Sequence, residues 1–526
     1  MNPRLMRVAI AMAAGWVVMF AVVGAFRPLM PVDETRYMSV AWEMLVRHNW
    51  FLPTLNFEPY SHKPPLLFWL INIAWAIGGV HVWPARVVTF LITASFVWLS
   101  GKLARRIFPH DQNADIYTML AIGAMPAFLI YGSVIMFDTL MGVCVLVAVM
   151  MIWRQGTTDA RPLKGWIWLG LAIGVGVLAK GPVALVYILP PALLAPVWAT
   201  GITRRWYAGL GVAVAVGAAI ALAWAIPAVL SGGAEYADKI FITQSAGRMI
   251  NANDHARPIW FYIGVLAAYL APFILWPSLW RGFRQIRPVF KADAGVRFIA
   301  CWILPVIVFF SLISSKQFHY MTPVIPGFAV LIGVMISRAG IIRVNSLVLP
   351  MLAMLAPSIA IIAFEILNRP FPRIPLGDLS GHFAYLHILI AGVIAWWSLR
   401  KPERALAGLS MAALLLAVMM HVQLGQRFLP RYDFMAIRDA IAPYRDRPMA
   451  VAPKYDGEYG YALRLTHKVD VIDRNQMEDW FVKNPDGVIV VRWKVIPKHF
   501  DVLHQQPFRA DENLMILQRL TLIGMK

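Results

Sequence analysis

Acidic side chains and cysteine are scarce in this sequence, and both shortages limit the classes of protein to which it can belong. Of 526 residues only 28 are Asp or Glu, and all charged residues amount to 14%, where soluble domains carry about 25%. Hydrophobic residues make up 59%, more than a soluble core hides, so a membrane protein is predicted. The two cysteines, Cys144 and Cys301, each lie in an apolar run. Two cysteines placed in this way do not indicate a disulfide framework or a thiolate metal site.

Basic residues outnumber acidic ones, 48 to 28, which gives a net charge of +20. They stand in short runs between apolar stretches, so they favour loops held on the cytoplasmic side over a nucleic-acid partner. The run after Arg4 and Arg7 is predicted to be a retained first helix, because it is long enough to span a membrane.

Long apolar runs predict an all-α polytopic membrane protein with about thirteen transmembrane helices. The expected spans are 8–26, 84–101, 114–132, 134–152, 165–179, 182–199, 207–230, 259–280, 297–313, 321–337, 344–366, 384–399 and 405–423. With the N-terminus cytoplasmic, every second loop is short and basic, as the positive-inside rule requires. The odd number of spans places the chain after residue 423 on the outer, periplasmic side.

Two segments of the first outer loop have the character of interfacial helices. Pro64–Val80 is apolar but short and begins with two prolines; counting it as a span would export most of the basic loops. Residues 34–48 place Tyr37 and Met44 on one helical stripe and polar side chains on the other. We therefore expect two helices lying on the outer surface.

The composition changes near residue 430. Short strands are expected at Met449–Pro453, Val469–Ile472, Val488–Val491 and Leu514–Leu517, with a helical stretch at 475–483. The sequence thus predicts a membrane domain, residues 1–429, and a small periplasmic α/β domain, residues 430–526.

Unusual polar side chains collect on the predicted outer face. The segment 314–320 carries Lys316, His319 and Tyr320, and the other outer-face candidates include Asp33, Glu34, Arg36, Tyr37, Tyr60, His62, Lys63, Asp138, Lys180, His255 and Arg257. Ionisable groups beside apolar spans are costly and therefore functional candidates. Carboxylates among cations suit sugar transfer from a phosphate-linked donor: a carboxylate takes a proton from the acceptor, and cations neutralise the departing phosphate.

Each candidate also has a structural alternative. Asp33 is placed to cap the helix that follows it, and Asp138 to make a buried polar contact between spans. Lys180 suits an interface anchor, and His62 and His255 suit isolated surface positions. These alternatives stay open for single residues; the convergence of carboxylates and cations on one face favours a site.

Several strings resemble the ArnT-like family of GT-C glycosyltransferases, relatives of the dolichyl-phosphate-mannose protein mannosyltransferases. They are PVDETRYMSVAWEML from Pro31, the Lys-Pro-Pro at 63–65, FDTLMG at 137–142, LAKGPVAL at 178–185, HARPIWFY at 255–262 and SKQFHYMTPVIPGFAVLIG at 315–333. The resemblance extends over about residues 5–335. It implies a GT-C fold, periplasmic interfacial helices and a small periplasmic domain.

The resemblance also implies residue roles. Asp33 matches the catalytic carboxylate and Asp138 a second acidic residue lining the site. Residues expected near the donor's phosphate or lipid are Arg36, Tyr37, Tyr60, Lys63, Lys180, Arg257 and Tyr320. His62 stands where the family commonly has a glutamate that shares a metal with a later histidine, here His255. No cofactor is required for the chemistry, and a zinc ion held by these two histidines is a further expectation.

The sequence therefore predicts an inverting glycosyltransferase of a bacterial inner membrane. It would move a sugar, in the family 4-amino-4-deoxy-L-arabinose, from undecaprenyl phosphate or another polyprenyl phosphate to lipid A or another periplasmic acceptor. A transferase of the same fold acting on protein or envelope polysaccharide is the alternative. A lipid or sugar transporter is disfavoured, because internal repeats are lacking and the charges lie at helix ends rather than at the midplane.

Overall fold

A computed structural model describes residues 3–159, 161–240, 256–339, 344–367, 381–400, 404–495, 499–508 and 512–519. Its first half contains α1 (Pro3–Phe26), α2 (Asp33–Arg47), α3 (Leu66–Gly78), α4 (Val82–Ile107), α5 (Ala114–Gly123), α6 (Pro126–Tyr131), α7 (Phe137–Thr157), α8 (Leu163–Lys180), α9 (Val183–Leu193), α10 (Ala195–Trp198) and α11 (Arg204–Asp238). The helices that follow are α12 (Phe261–Tyr269), α13 (Ala271–Ile274), α14 (Pro277–Ala292), α15 (Ala294–Leu312), α16 (Ile325–Ala339), α17 (Val348–Ile366), α18 (Gly381–Leu399) and α19 (Ala405–Arg427).

The mainly helical membrane fold expected from the apolar runs is confirmed. Within the described residues, nine helical segments are long and apolar enough to cross a membrane. They coincide with nine of the thirteen predicted spans, namely those that begin at residues 84, 134, 165, 207, 297, 321, 344, 384 and 405.

The other four predicted spans coincide with shorter apolar helices. The described apolar part of the first is Ile10–Phe26. The other three are divided, and a proline starts the second piece each time: Pro126 opens α6, Pro196 lies at the start of α10 and Pro272 at the start of α13. Proline lacks the N–H that would continue the preceding helix but suits the first turn of the next one.

The first loop forms two helices, as expected. Helix α3 has 13 residues, a length of about 20 Å against a hydrocarbon core of about 30 Å. Between α2 and α3, the strands β1 (Thr54–Leu55) and β2 (Glu58–Pro59) form an antiparallel hairpin. Glu43 of α2 accepts the N–H groups of Asn56 and Phe57 at 2.7 and 2.8 Å and so fastens this hairpin to the helix.

The C-terminal part forms a small α/β domain, also as expected. Its strands are β3 (Met449–Ala452), β4 (Asp470–Val471), β5 (Val488–Trp493), β6 (Phe500–Phe508) and β7 (Glu512–Arg519), and its α-helices are α20 (Ile437–Ile441), α21 (Tyr459–Ala462) and α22 (Met477–Lys483). The sheet order is β4-β3-β5-β7-β6. Strand β3 pairs in parallel with β4 and β5, whereas β7 is antiparallel to β5 and β6.

The C-terminal domain packs on the polar stripe of α2. Ser39 and Glu43, which the amphipathic pattern assigns to that stripe, are both fully buried. Trp42 donates its indole N–H to the carbonyl of Leu465 at 2.8 Å. The side chain of Asn56 exchanges two hydrogen bonds with the backbone of Val469. The polar stripe therefore faces a second protein layer and not water.

Candidate active site

Asp138 forms the centre of a buried ionic cluster between helix ends. It lies in the first turn of α7, is 3% exposed, and its Oδ1 accepts a hydrogen bond from the ammonium of Lys180, the last residue of α8. Its Oδ2 is 3.8 Å from Nε2 of His319. The ring of Tyr320 lies 4.9 Å from the Lys180 ammonium. The structure thus brings together three predicted site residues, Asp138, Lys180 and Tyr320.

Helix geometry favours these charges where they stand. The amino end of α7 attracts the Asp138 carboxylate, and the carboxyl end of α8 attracts the Lys180 ammonium. Gly181 follows with a φ of 82°, a backbone conformation that glycine adopts without strain. The chain can therefore turn at once into α9, and Lys180 stays at the end of α8, next to Asp138.

Asp33 is the more accessible carboxylate. It is the first residue of α2, half-buried, and accepts a hydrogen bond from the Tyr37 hydroxyl at 3.1 Å. The helix is capped by Val32 without a side-chain hydrogen bond, so capping is not what Asp33 does. Burial, followed by the negative charge of Asp33, raises the pKa of Tyr37 well above 10, and the phenol therefore stays neutral.

Glu34, next to Asp33, is fully occupied by structural contacts. It is completely buried and pairs with Arg27 at 2.8 Å. Its carboxylate also accepts the N–H groups of Met30 and Ile135, both at 2.9 Å. Glu34 therefore joins the start of α2 to the segment that leads into α7.

The Tyr60–Lys63 segment completes one side of the cluster. Tyr60 is buried, and its hydroxyl is close enough to that of Tyr37 for the two phenols to affect each other's ionisation. The Lys63 ammonium is close enough to Asp138 to interact with it electrostatically. The structure thus brings Lys63, Tyr60 and Tyr37 to the same place as Asp138.

Two predicted phosphate-binding residues are held differently. Arg36 is half-buried and donates its Nε–H to the carbonyl of Asp456, in the C-terminal domain, at 2.7 Å. Arg257 has an exposed side chain. Its backbone is fixed to the segment that precedes His319: its N–H donates to Ser314, and its carbonyl accepts from the buried Lys316 at 2.9 Å.

The predicted histidine pair is only half visible. His62 is exposed, with its ring centroid 5.1 Å from that of Tyr60, and His255 lies outside the described residues. Among the described residues, no group of three or more His, Cys, Asp or Glu side chains is arranged to hold a metal ion. His62 supplies one donor, so the zinc ion stays a prediction and no chemistry is derived through it.

Two contributors to the cluster were not assigned a role from the sequence. His319 directly precedes Tyr320 in the SKQFHY string, which is the signal that pointed to it. Tyr187, in the middle of α9, gave no such signal; its hydroxyl donates to the carbonyl of Tyr320 at 2.8 Å and holds that segment in place.

The fold and site together define a polytopic membrane protein with a carboxylate–cation cluster where helix ends meet two short helices, the arrangement of a GT-C glycosyltransferase. The family model of dolichyl-phosphate-mannose-protein mannosyltransferases matches residues 62–230. ArnT from Cupriavidus metallidurans bound to undecaprenyl phosphate has a similar fold, with a TM-score of 0.79 and 19% sequence identity over 98% of this chain and 99% of that chain.

Curated relatives agree with that class. An undecaprenyl phosphate-alpha-4-amino-4-deoxy-L-arabinose arabinosyl transferase of Pseudomonas aeruginosa (strain UCBPP-PA14) is 30% identical over 74% of this chain and 70% of its own length. Arabinosyl transferase 1 of the same kind from Pseudomonas fluorescens (strain Pf0-1) is 34% identical over 57% of this chain; that match spans about half, 52%, of the relative. The chain belongs to the ArnT-like family of GT-C glycosyltransferases, and it is a multi-pass inner-membrane glycosyltransferase.

Proposed function

We propose that this protein transfers 4-amino-4-deoxy-L-arabinose from undecaprenyl phosphate to lipid A, with inversion at the sugar carbon. The sugar and carrier are those in the names of the curated relatives, and an ArnT of the same fold binds undecaprenyl phosphate. The observation that carries the proposal is the site itself: an accessible carboxylate, Asp33, beside a buried carboxylate–cation cluster around Asp138.

The reaction forms one bond and breaks one. An oxygen of the acceptor attacks the anomeric carbon of the sugar, and the bond between that carbon and the phosphate oxygen breaks. Asp33 takes the proton if the attacking group is a hydroxyl or a protonated phosphate. Undecaprenyl phosphate leaves with the additional negative charge, which Lys63, Lys180 and Arg36 stabilise.

Asp138 has a different role from Asp33 in this scheme. Asp138 is 3% exposed, and its carboxylate already accepts a hydrogen bond from the Lys180 ammonium. These contacts support a role in which Asp138 orients Lys180 and His319 towards the phosphate of the donor. Removing the negative charge from a buried pair leaves the partner's charge uncompensated. Asp138 therefore sets the position of a cation, and Asp33 does the proton transfer.

We place the cluster and the C-terminal domain on the periplasmic side, with the N-terminus in the cytoplasm. The positive-inside rule supports this orientation. At the opposite end of the bundle from Asp138, Arg338 on α16 forms ion pairs with Asp111 and Asp293 at 2.9 and 2.7 Å, and Arg105 pairs with Asp115.

The test is mass spectrometry of lipid A from cells that lack the gene and cells that carry it, with an Asp33→Asn variant as the inactive control. We expect aminoarabinose on lipid A only with the wild-type gene. Lipid A of equal mass in all three strains would overturn the acceptor assignment. It would favour a transferase acting on protein, the acceptor class of the matching mannosyltransferase family.

A further inference from the structure

A loop of the C-terminal domain reaches the turn of α2 that carries the site. This segment, residues 453–461, is called the docking loop below. Its Asp456 carbonyl accepts the Nε–H of Arg36 at 2.7 Å. One turn further along α2, the buried Ser39 hydroxyl donates to the Gly457 carbonyl at 2.8 Å and accepts the N–H of Tyr461 at 3.0 Å.

The approach of the docking loop to α2 is close enough to require glycine. Gly457 has a φ of 103°, and a Cβ built there would lie 2.8 Å from Cα, Cβ and Cγ of Arg36. Real side chains do not tolerate that distance without a shift of the backbone. Gly457 therefore allows the main chain of one domain to lie directly on the helix of the other.

The docking loop is also fixed from the side of the sheet. Glu458 is completely buried; one carboxylate oxygen accepts the N–H of Asp456 at 2.8 Å, and the other accepts from Arg492 at 2.9 Å. Arg492 lies on β5, a central strand, and is 4% exposed. A continuous path of hydrogen bonds thus runs from the sheet through Glu458 and Asp456 to Arg36.

This path determines which part of the Arg36 guanidinium is available. Its Nε–H is used by Asp456, whereas within the described part of the chain its two terminal amino groups make no hydrogen bond to protein. Arg36 stands three residues after Asp33, a spacing at which side chains are neighbours on a helix surface. A guanidinium fixed at Nε loses less conformational entropy when its other nitrogens bind a phosphate.

We propose that the docking loop is a positioning element of the active site. The Asp456 carbonyl orients Arg36 for the phosphate of the lipid-linked donor, and Ser39 is a positioning residue that holds the loop at Gly457. This inference rests on the proposed function, in which Arg36 meets that phosphate. It makes the C-terminal domain a part of the donor site.

The test uses the purified full-length protein in detergent and measures binding of undecaprenyl phosphate. Ser39→Ala removes the clamp nearest Arg36 with little change in volume. Trp42→Phe is the matched control, because it removes another hydrogen bond between α2 and the same domain, at Leu465, one turn farther from Arg36. Ser39→Ala removes two hydrogen bonds to the docking loop, and only part of that loss is transmitted to donor binding through Arg36. We therefore expect Ser39→Ala to weaken binding about threefold to tenfold, and Trp42→Phe to stay within about twofold.

A double-substitution cycle separates positioning from general loosening. In protein that already carries Arg36→Ala, Ser39→Ala should weaken binding no further, because its effect acts through Arg36. Equal weakening by Ser39→Ala with and without Arg36, or equal weakening by the Trp42 control, overturns the positioning inference. Normal binding by Arg36→Ala alone instead overturns the phosphate role of Arg36 in the proposed function.

Discussion

Asp33 and Glu34 are adjacent carboxylates, and the structure predicts opposite consequences for their amide variants. Glu34 is completely buried, pairs with the nearly buried Arg27 and accepts two backbone N–H groups. Glu34→Gln removes the charge and leaves the Arg27 guanidinium uncompensated. Breaking such a buried pair costs about 3–5 kcal/mol. Asp33→Asn keeps an oxygen for the Tyr37 hydroxyl and loses at most one weak contact, worth less than about 1 kcal/mol.

The expected order for catalytic activity is the opposite: Asp33→Asn should lose more activity than Glu34→Gln, although it is the more stable variant. Removing a general base lowers a rate by about 10²–10⁴-fold, so Asp33→Asn should be folded and nearly inactive. Glu34→Gln should retain transfer per folded molecule, because the Glu34 side chain is completely buried and its carboxylate is already bonded to Arg27 and two backbone N–H groups. The assays are denaturant titration of the purified protein in detergent and sugar transfer normalised to folded protein.

Two results for Glu34→Gln and Asp33→Asn would contradict these roles. A Glu34→Gln protein with wild-type stability would show that the buried ion pair does not hold the start of α2. An Asp33→Asn protein with normal transfer would remove Asp33 as the base. If both were observed, neither of the roles assigned to these neighbours would stand.

Three further predictions follow from burial and charge. Glu458→Ala leaves Arg492 buried without its partner and should destabilise the C-terminal domain by about 3–5 kcal/mol, seen as faster limited proteolysis after residue 430. Lys180→Met leaves the Asp138 carboxylate without its ammonium, so donor turnover should fall at least about tenfold, measured by transfer at saturating donor. Tyr37 has a raised pKa because it is buried; its contribution to stability is complete below pH 10 and is lost as pH rises beyond, so Tyr37→Phe should remove the additional loss of stability above pH 10 in thermal unfolding scans.

The membrane fold was predictable because apolar runs and basic loops are local signals. The first loop was predictable for the same reason: the 3.6-residue period identified α2, and the double proline marked the start of α3. Strand β6 was missed. Its sequence, FDVLHQQPF, is polar at alternate and adjacent positions, and its edge position, paired only with β7, exposes much of that surface.

The candidate site was predictable as a set of residue types but not as a geometry. The strings around Asp33, Lys63, Asp138 and Lys180 named the charged groups. Their pairing depends on contacts between distant parts of the chain: 42 residues separate Lys180 from Asp138. No local pattern determines such a contact, because packing of whole helices decides which ends meet.

Helix α2 shows what an amphipathic pattern determines and what it leaves open, namely the surroundings of its polar stripe. A polar stripe on a helix at a membrane surface ordinarily indicates contact with water. Here Ser39 and Glu43 on that stripe are buried because polar backbone groups cover them. Ser39 is hydrogen-bonded to backbone groups of the docking loop, and Glu43 to backbone N–H groups of the β1–β2 hairpin. The opposite face packs Tyr37 against Phe137 of α7, with ring centroids 4.8 Å apart. A helix buried on both faces cannot rotate or slide without breaking one of them. That constraint fixes Asp33 relative to Asp138, and it requires the C-terminal domain to be present for the site to keep its shape.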